Sequence, residues 1–293
     1  MSSFRVVLLE TPCKLSYKGG YMCVRSDDNL TKIHLSDIRS IILKTQQVYI
    51  SAYLLSELAK AKISFVVPDE KHNPVGQFLS LYGAHNSFKR ISEQVAWGEP
   101  IKKRVWQRIV KDKIANQAAL LKARGKEEKA SVLKQHVLEV RSGDITNREA
   151  NAARIYFAGL FGSSFSREDS TPINAALNYG YKIILTEVNN EIISHGFLTQ
   201  FGIKHHSELN NFNLTCDFME PFRPIVDRLV YDNIEDEFGK IEKRLLVDIP
   251  NITISYSGGQ YRVGSVISRY VKSCLDALCK RLSVDEIEPF GVL

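Results

Sequence analysis

The sequence predicts an α+β protein in which a small N-terminal β-rich domain precedes a larger, mostly α-helical C-terminal one. Three observations predict it. Over residues 1–67, short apolar runs are broken by polar and glycine turns. Residues 68–86 are crowded with turn formers, among them Pro68, Asn73, Pro74, Gly76 and Gly83, and read as a linker. From Ser87 onward, over 87–293, the apolar spacing is almost wholly helical.

Each element follows from local chemistry. Residues 4–9 are a short apolar run, and 14–17 and 21–25 flank Lys18-Gly19-Gly20, a hairpin signal. Residues 32–35 and 38–43 continue the strand pattern. Ser51 is a cap residue that opens a helix carrying Leu54, Leu55, Leu58 and Ala59 at helical spacing. Residues 63–67 return as a buried strand that Pro68 stops. Pro100 starts a long helix through Ala123, and Gly125 interrupts before a second one reaching about residue 140. Further helices are expected over 147–162, 173–195, 220–235 and 263–281. One hairpin, at 251–263, turns on Ser257-Gly258-Gly259. There is no internal repeat and no low-complexity tract.

The composition bounds the function. Of 293 residues, 44% are hydrophobic and 25% charged, ordinary values for a folded chain. The five cysteines (Cys13, Cys23, Cys216, Cys274, Cys279) form no Cys-x-x-Cys pair, which argues against a disulfide framework or a structural zinc site. No apolar stretch approaches the roughly 20 residues that span a bilayer, and the N-terminus lacks a signal peptide's apolar core. The protein is expected in the cytoplasm, with no membrane partner. The formal charge is +6, and its excess is local. Lys102, Lys103, Arg104, Arg108, Lys111 and Lys113 face Asp112 alone. Such a run is either the solvated face of a core helix or a stripe that tracks phosphates, and a phosphodiester site elsewhere in the domain favours the stripe. The acidic run Glu235-Asp236-Glu237 reads as an exposed loop.

Three separated elements carry chemistry-bearing residues. Arg148-Glu149 opens an amphipathic helix whose buried face is expected to be Ala152, Ala153, Tyr156, Phe157 and Leu160. Gly202-Ile203-Lys204-His205-His206 sets a tight turn before a histidine pair. After a polar loop, Leu214-Thr-Cys-Asp217-Phe-Met leads into Glu220-Pro221-Phe222-Arg223-Pro224, which places a carboxylate at a helix start, because two such prolines are tolerated together only in a first turn. Each has a plainer reading. Thr146-Asn147-Arg148-Glu149 fits a capping box. The histidines fit a surface loop, and Glu220 suits a helix dipole. If the three converge, two carboxylates and one imidazole suit Mg²⁺ or Mn²⁺ better than Zn²⁺, and on a basic chain the natural substrate is a phosphodiester. His205 could also move a proton. No phosphate-binding loop of the Walker type is present, so no nucleotide-driven step is implied.

These motifs resemble a known family. Arg148-Glu149-Ala-Asn-Ala-Ala-Arg-Ile-Tyr-Phe, Pro172-Ile-Asn-Ala-Ala-Leu-Asn178-Tyr-Gly-Tyr, Gly202-x-x-His205 and Asp217-Phe-Met-Glu220-Pro-Phe-Arg-Pro-x-x-Asp227 resemble the CRISPR-associated integrase and endonuclease of the spacer-acquisition (adaptation) complex, the first-numbered Cas family. The total length and the β-then-α layout agree, and the N-terminal half looks most like the type II form. The resemblance implies that Glu149, His205 and Glu220 are catalytic and bind Mg²⁺ or Mn²⁺. His205 is preferred to His206 because the family places its histidine three residues after the glycine. Ile203-Lys204 departs from the commoner apolar pair. The resemblance further implies homodimers formed through the β domains, with two dimers clamping a small CRISPR-associated partner protein and a double-stranded DNA fragment. Each 3′-hydroxyl of the fragment would then attack a strand of the repeat, without ATP. An effector nuclease and an accessory adaptation protein are further candidate partners. Asn178, Tyr179 and Arg223 lie in matched motifs and either shape the site or touch DNA, with core packing the plainer role for Tyr179. Two alternatives compete with integration: a stand-alone structure-selective repair nuclease, and a non-catalytic DNA-binding scaffold.

Overall fold

Alternating burial in the first strands sets the N-terminal architecture. In β2 (Cys13–Lys18), Cys13 and Leu15 are buried while Lys14, Ser16 and Lys18 are exposed, so one face is committed to a core. The computed structural model describes residues 5–27, 29–70, 74–81 and 86–293. These divide into two compact units, Met1–His85 and Asn86–Leu293.

In the first unit, β1 (Arg5–Leu9) and β2 precede β3 (Tyr21–Ser26), β4 (Asn29–His34), β5 (Ile38–Leu43), β6 (Val48–Ile50), α1 (Ala52–Lys60), β7 (Ser64–Pro68) and β8 (Pro74–Phe78). They build two four-stranded sheets, ordered β1-β5-β7-β8 and β4-β3-β2-β6. β2 and β3 pair antiparallel around the expected Gly19-Gly20 turn, whereas β1 and β7 both run parallel to β5. The Ser51 hydroxyl accepts the Leu54 amide at 3.2 Å, which starts α1 and seats Leu54 and Leu58 in the core. That core draws Leu15 and Met22 from one sheet, Ile41 and Phe65 from the other, and both α1 leucines.

The expected linker over 68–86 is corrected at residues 74–78, where β8 pairs antiparallel with β7. It is an edge strand, where proline is compatible with pairing because ladder donors on the outer side go unused. Residues 71–73 and 82–85 of that stretch lie outside the described residues.

The second unit is helical: α2 (Ser87–Val95), α3 (Glu99–Ala123), α4 (Glu127–Glu139), α5 (Arg148–Leu160), α6 (Pro172–Ser194), α7 (Asn213–Met219), α8 (Arg223–Asn233), α9 (Lys240–Val247), the hairpin β9 (Thr253–Tyr256) and β10 (Gly259–Arg262), and α10 (Val263–Leu278). α3 buries Val105, Trp106, Ile109, Val110 and Ile114 and packs against α4, α5, α8 and α10. α6 is buried almost all round and meets α7, α8, α9 and α10. Among the described residues no helix is long and apolar enough to cross a membrane.

The helix start expected near Glu220 is also corrected, while the polar loop expected between His206 and Leu214 is present as turns. Residues 213–219 form α7, which buries Leu214, Thr215, Asp217, Phe218 and Met219. A helix this short and polar has little intrinsic stability and forms because its neighbours bury it. A 3-10 turn, Glu220–Phe222, joins it to α8, so the chain arrives at Glu220 already helical. Pro221 and Pro224 each sit in the first turn of their own segment.

Gly180 of α6 allows α8 to approach closely, because a Cβ built there would overlap Val226 Cγ1. Gly180→Ala is expected to destabilise the protein by about 2 kcal/mol. The double variant Gly180→Ala/Val226→Ala should lose about 1 kcal/mol less than the two single losses added together. Urea unfolding of the four proteins measures this; strictly additive losses would show that the helices do not meet there.

Candidate functional site

The chain enters α5 through Asn147 in the left-handed region (φ 52°), and the buried Asp144 carboxylate caps the helix. Its Oδ1 accepts the Arg148 amide at 2.9 Å and its Oδ2 accepts the Glu149 amide at 3.0 Å. The expected capping box is therefore corrected. A charged acceptor has displaced the Thr146 hydroxyl, whose Oγ1 is buried without a hydrogen-bond partner. Glu149 does not turn back to the cap. Its Oε1 instead accepts from Lys113 Nζ at 2.7 Å.

Asp217, fully buried on α7, organises the histidine loop. Its Oδ2 accepts the amides of Ile203 (2.6 Å) and Lys204 (3.1 Å), and its Oδ1 accepts the His205 amide (3.2 Å). The same Oδ1 accepts His205 Nδ1–H at 2.7 Å. Because a carboxylate can only accept, Nδ1 carries a proton, and in the neutral ring Nε2 is the nitrogen with a lone pair for a ligand. Gly202 makes this wrap feasible: a Cβ there would overlap the His205 carbonyl oxygen and lie 2.8 Å from Asp217 Oδ2. The edge of Trp106 meets the His205 ring at 6.1 Å between centroids. The Asp217 hydrogen bond raises the His205 pKa, burial opposes it, and the Asp217, Glu220 and Glu149 charges add to the rise.

Glu220, 5% exposed, sits between two cations. Arg223 Nε donates to its Oε1 at 2.8 Å, and Lys113 Nζ lies 2.6 Å from its Oε2. At that distance the ammonium and the buried carboxylate form a direct ion pair. Burial would raise the Glu220 pKa, but Lys113 and Arg223 overcome it and bring it down to about 2. Burial likewise lowers the Lys113 pKa, and Glu220 and Glu149 more than restore it. Behind them lies a cavity of ≈ 210 Å³ lined in part by Lys113, Gln117, Arg167, Tyr181, Glu220 and Arg223. The Arg223 guanidinium stacks on Tyr181 at 4.4 Å. Asp227, also on the cavity wall, is pushed up to about 6 by burial despite accepting from Tyr156 and Tyr181.

The structure thus brings Glu149, Glu220 and Arg223 together around Lys113, with His205 in the same electrostatic neighbourhood. Asn178 is exposed on α6 and accepts from Arg167 Nη2 at 2.6 Å. Tyr179 is buried against Phe238. Lys102 pairs with Glu99, and Arg104 with Asp285, on the exposed first turns of α3; Lys103 is exposed beside Gly143. Arg108 is held by Asp112 through both carboxylate oxygens (3.0 and 2.9 Å), so it is not a free phosphate contact. Motif reading passes over Gln117 and Asp144, and it names Lys113 and Asp217 without their roles. Lys113 carried a signal, since it falls four residues after Ile109 and seven after Trp106, on the buried face of α3.

Among the described residues, no group of three or more His, Cys, Asp or Glu side chains is arranged to hold a metal ion as it stands. The donor chemistry nevertheless fits a hard divalent ion. Glu149 Oε1 and Glu220 Oε2 converge on one cation position, now held by the Lys113 ammonium, and with Nδ1 engaged by Asp217 the remaining His205 nitrogen is Nε2.

Two outcomes follow. Glu220 holds its proton less tightly folded than unfolded, so its stabilisation is complete above its ordinary value of 4.5 and is lost as pH falls through about 2. Glu220→Gln should flatten the fall in stability across that window, a difference of about 3 kcal/mol, read by urea unfolding at stepped pH. Gly202→Ala should cost about 2 kcal/mol and dislodge His205, seen as loss of the raised His205 pKa in an NMR titration.

The family model described as CRISPR associated protein Cas1 matches residues 6–243. The CRISPR-associated endonuclease Cas1 of Neisseria meningitidis serogroup C (strain 8013) is 36% identical over 296 aligned positions, covering 98% of this chain and 97% of the relative. A casposase bound to integration product shares the fold with a TM-score of 0.75 at 18% identity, covering 99% of this chain and 95% of the other. A chain of a Cas6-RT-Cas1–Cas2 complex gives 0.71 at 20% identity, over 99% of this chain and 36% of that one. With a family model spanning most of its length and a relative above one-third identity over nearly all of it, the chain belongs to the Cas1 family of CRISPR-associated proteins.

Proposed function

We propose that the protein is a metal-dependent DNA integrase and endonuclease that inserts short DNA fragments into a CRISPR array. The observation that supports this best is the convergence of Glu149 and Glu220, from different helices, beside a histidine oriented by a buried carboxylate. Membership of the Cas1 family and the endonuclease name of the meningococcal relative support the same reading. The casposase of the same fold carries an integration product, which favours strand joining over cutting alone.

Glu149, Glu220 and His205 Nε2 would hold Mg²⁺ or Mn²⁺. When bound, such an ion supplies Lewis acidity at the scissile phosphate and stabilises the leaving oxygen. Asp217 keeps His205 in the tautomer that presents Nε2. Arg223, fixed against Tyr181, and Arg167 beside it supply positive charge where phosphate oxygens would lie. In the joining step a 3′-hydroxyl oxygen forms the new P–O bond as the old one breaks. The bond count is conserved, so no ATP is required. The partners in this reading are double-stranded DNA, a second copy engaged through the β-rich unit, and a small CRISPR-associated protein clamped by two such dimers. The setting is the cytoplasm, and an effector nuclease or accessory adaptation protein would take part in fragment choice.

The test is strand transfer of a short duplex with 3′ overhangs into a supercoiled leader–repeat plasmid, in Mg²⁺ or Mn²⁺, with and without the small partner. Glu149→Ala, His205→Ala and Glu220→Ala should each lower joining at least about a hundredfold. Metal-dependent nicking without joining would favour the repair nuclease. Joining unchanged by all three substitutions would leave the carboxylates as scaffolding.

A further inference from the structure

We infer that Lys113 is a resident cation of the site: its ammonium holds the ground between Glu149 and Glu220, yields it to a divalent ion, and moves one turn along α3 to the carbonyl of Gln117. The inference rests on the metal-binding reading above and deepens it.

Lys113 is only 8% exposed, too buried to serve as a surface phosphate contact. Its Nζ reaches Glu149 Oε1 at 2.7 Å and Glu220 Oε2 at 2.6 Å, the same oxygens that a hard ion would require. Ammonium and divalent ion therefore compete for one position. The ammonium has a reason to be there, because two carboxylates converging in a buried site without a cation would repel each other and be poorly solvated.

A second observation gives the displaced ammonium somewhere to go. Gln117 lies four residues on, on the same face of α3, and is 2% exposed. Its Oε1 is buried without a hydrogen-bond partner. A buried acceptor in that condition costs free energy, and an ammonium that reached it would remove that cost. Lys113 and Gln117 line the same ≈ 210 Å³ cavity, which is roomy enough for an ammonium on a flexible four-carbon stem. From there the charge would remain beside Arg223, facing the substrate's phosphate, rather than cancelling a ligand.

The experiment measures Mn²⁺ binding by the loss of the free-ion EPR signal, and thermal unfolding in EDTA, on the full chain. The proteins are wild type, Lys113→Met, Gln117→Leu and the double variant, with Glu220→Ala marking the site. Lys113→Met should unfold at lower temperature in EDTA yet bind Mn²⁺ about tenfold more tightly. Gln117→Leu should bind Mn²⁺ more weakly without losing stability in EDTA, and should have no effect on binding in the Lys113→Met background. Unchanged or weaker Mn²⁺ binding in Lys113→Met would overturn the inference, as would a Gln117→Leu effect that persists without the lysine. If Lys113→Met does not fold, Gln117→Leu decides alone: weaker binding upholds the inference and unchanged binding overturns it. Wild-type Mn²⁺ binding that survives Glu220→Ala would instead remove the metal reading itself, and this inference with it.

Discussion

The pairing of one buried ammonium with two carboxylates is the contact on which the arrangement of the second unit depends. Lys113 comes from α3, Glu149 from α5, and Glu220 from the turn entering α8. A buried charge must be paired, and breaking such a pair typically costs about 3–5 kcal/mol. The packing of α3 against α5 and α8 is thereby tied to a single register. Slipping α3 by one residue would carry Lys113 about 100° round the helix, away from both partners.

Around the candidate site the carboxylates divide by side-chain length, whereas elsewhere in the unit the buried Glu191 accepts from Ser268 as part of the frame. Four buried aspartates serve the frame. Asp144 caps α5, Asp217 wraps the histidine loop, Asp112 joins Arg108 to Tyr270, and Asp227 accepts from Tyr156 and Tyr181. A short side chain suits this work, since it reaches nearby amides and hydroxyls with little rotamer freedom to lose. The two glutamates reach one methylene further and meet at the lysine. Asp144 and Glu149 show the dependence directly: the aspartate takes the helix-start amides, which leaves the glutamate's carboxylate for the site.

Much of the fold was legible because periodicity reports it. α3 begins at Glu99 where Pro100 signalled a start, Ser51 caps α1, and the 251–263 stretch forms the β9–β10 hairpin. The misses share a cause. α7 and β8 are short, carry polar residues or proline, and exist because neighbours bury or pair them. For the site, local sequence named the chemistry-bearing side chains but not their partners. Lys113 was hidden in a basic run whose members look alike in one dimension. Burial separates them: Lys103 and Arg104 are exposed, Arg108 is tied to Asp112, and Lys113 lies inside. Convergence of distant elements is a property of the fold, and spacing along the chain does not encode it.

Charge matching explains why such a site would call for a divalent ion. Glu149 and Glu220 are balanced by Lys113 and Arg223, Asp217 is hydrogen-bonded to His205, and Asp227 shares the cavity with Arg167. The cations of the site are matched by its own carboxylates, so a phosphodiester arriving as an anion would find no surplus positive charge. The electrostatic benefit of the guanidiniums is largely spent on the protein's own acids. A divalent ion changes the sum by two charges, and if Lys113 is released rather than expelled, its charge stays in the cavity as well. The surplus then arises only when metal and site are assembled, which ties attraction of the phosphate backbone to readiness for chemistry at the same place.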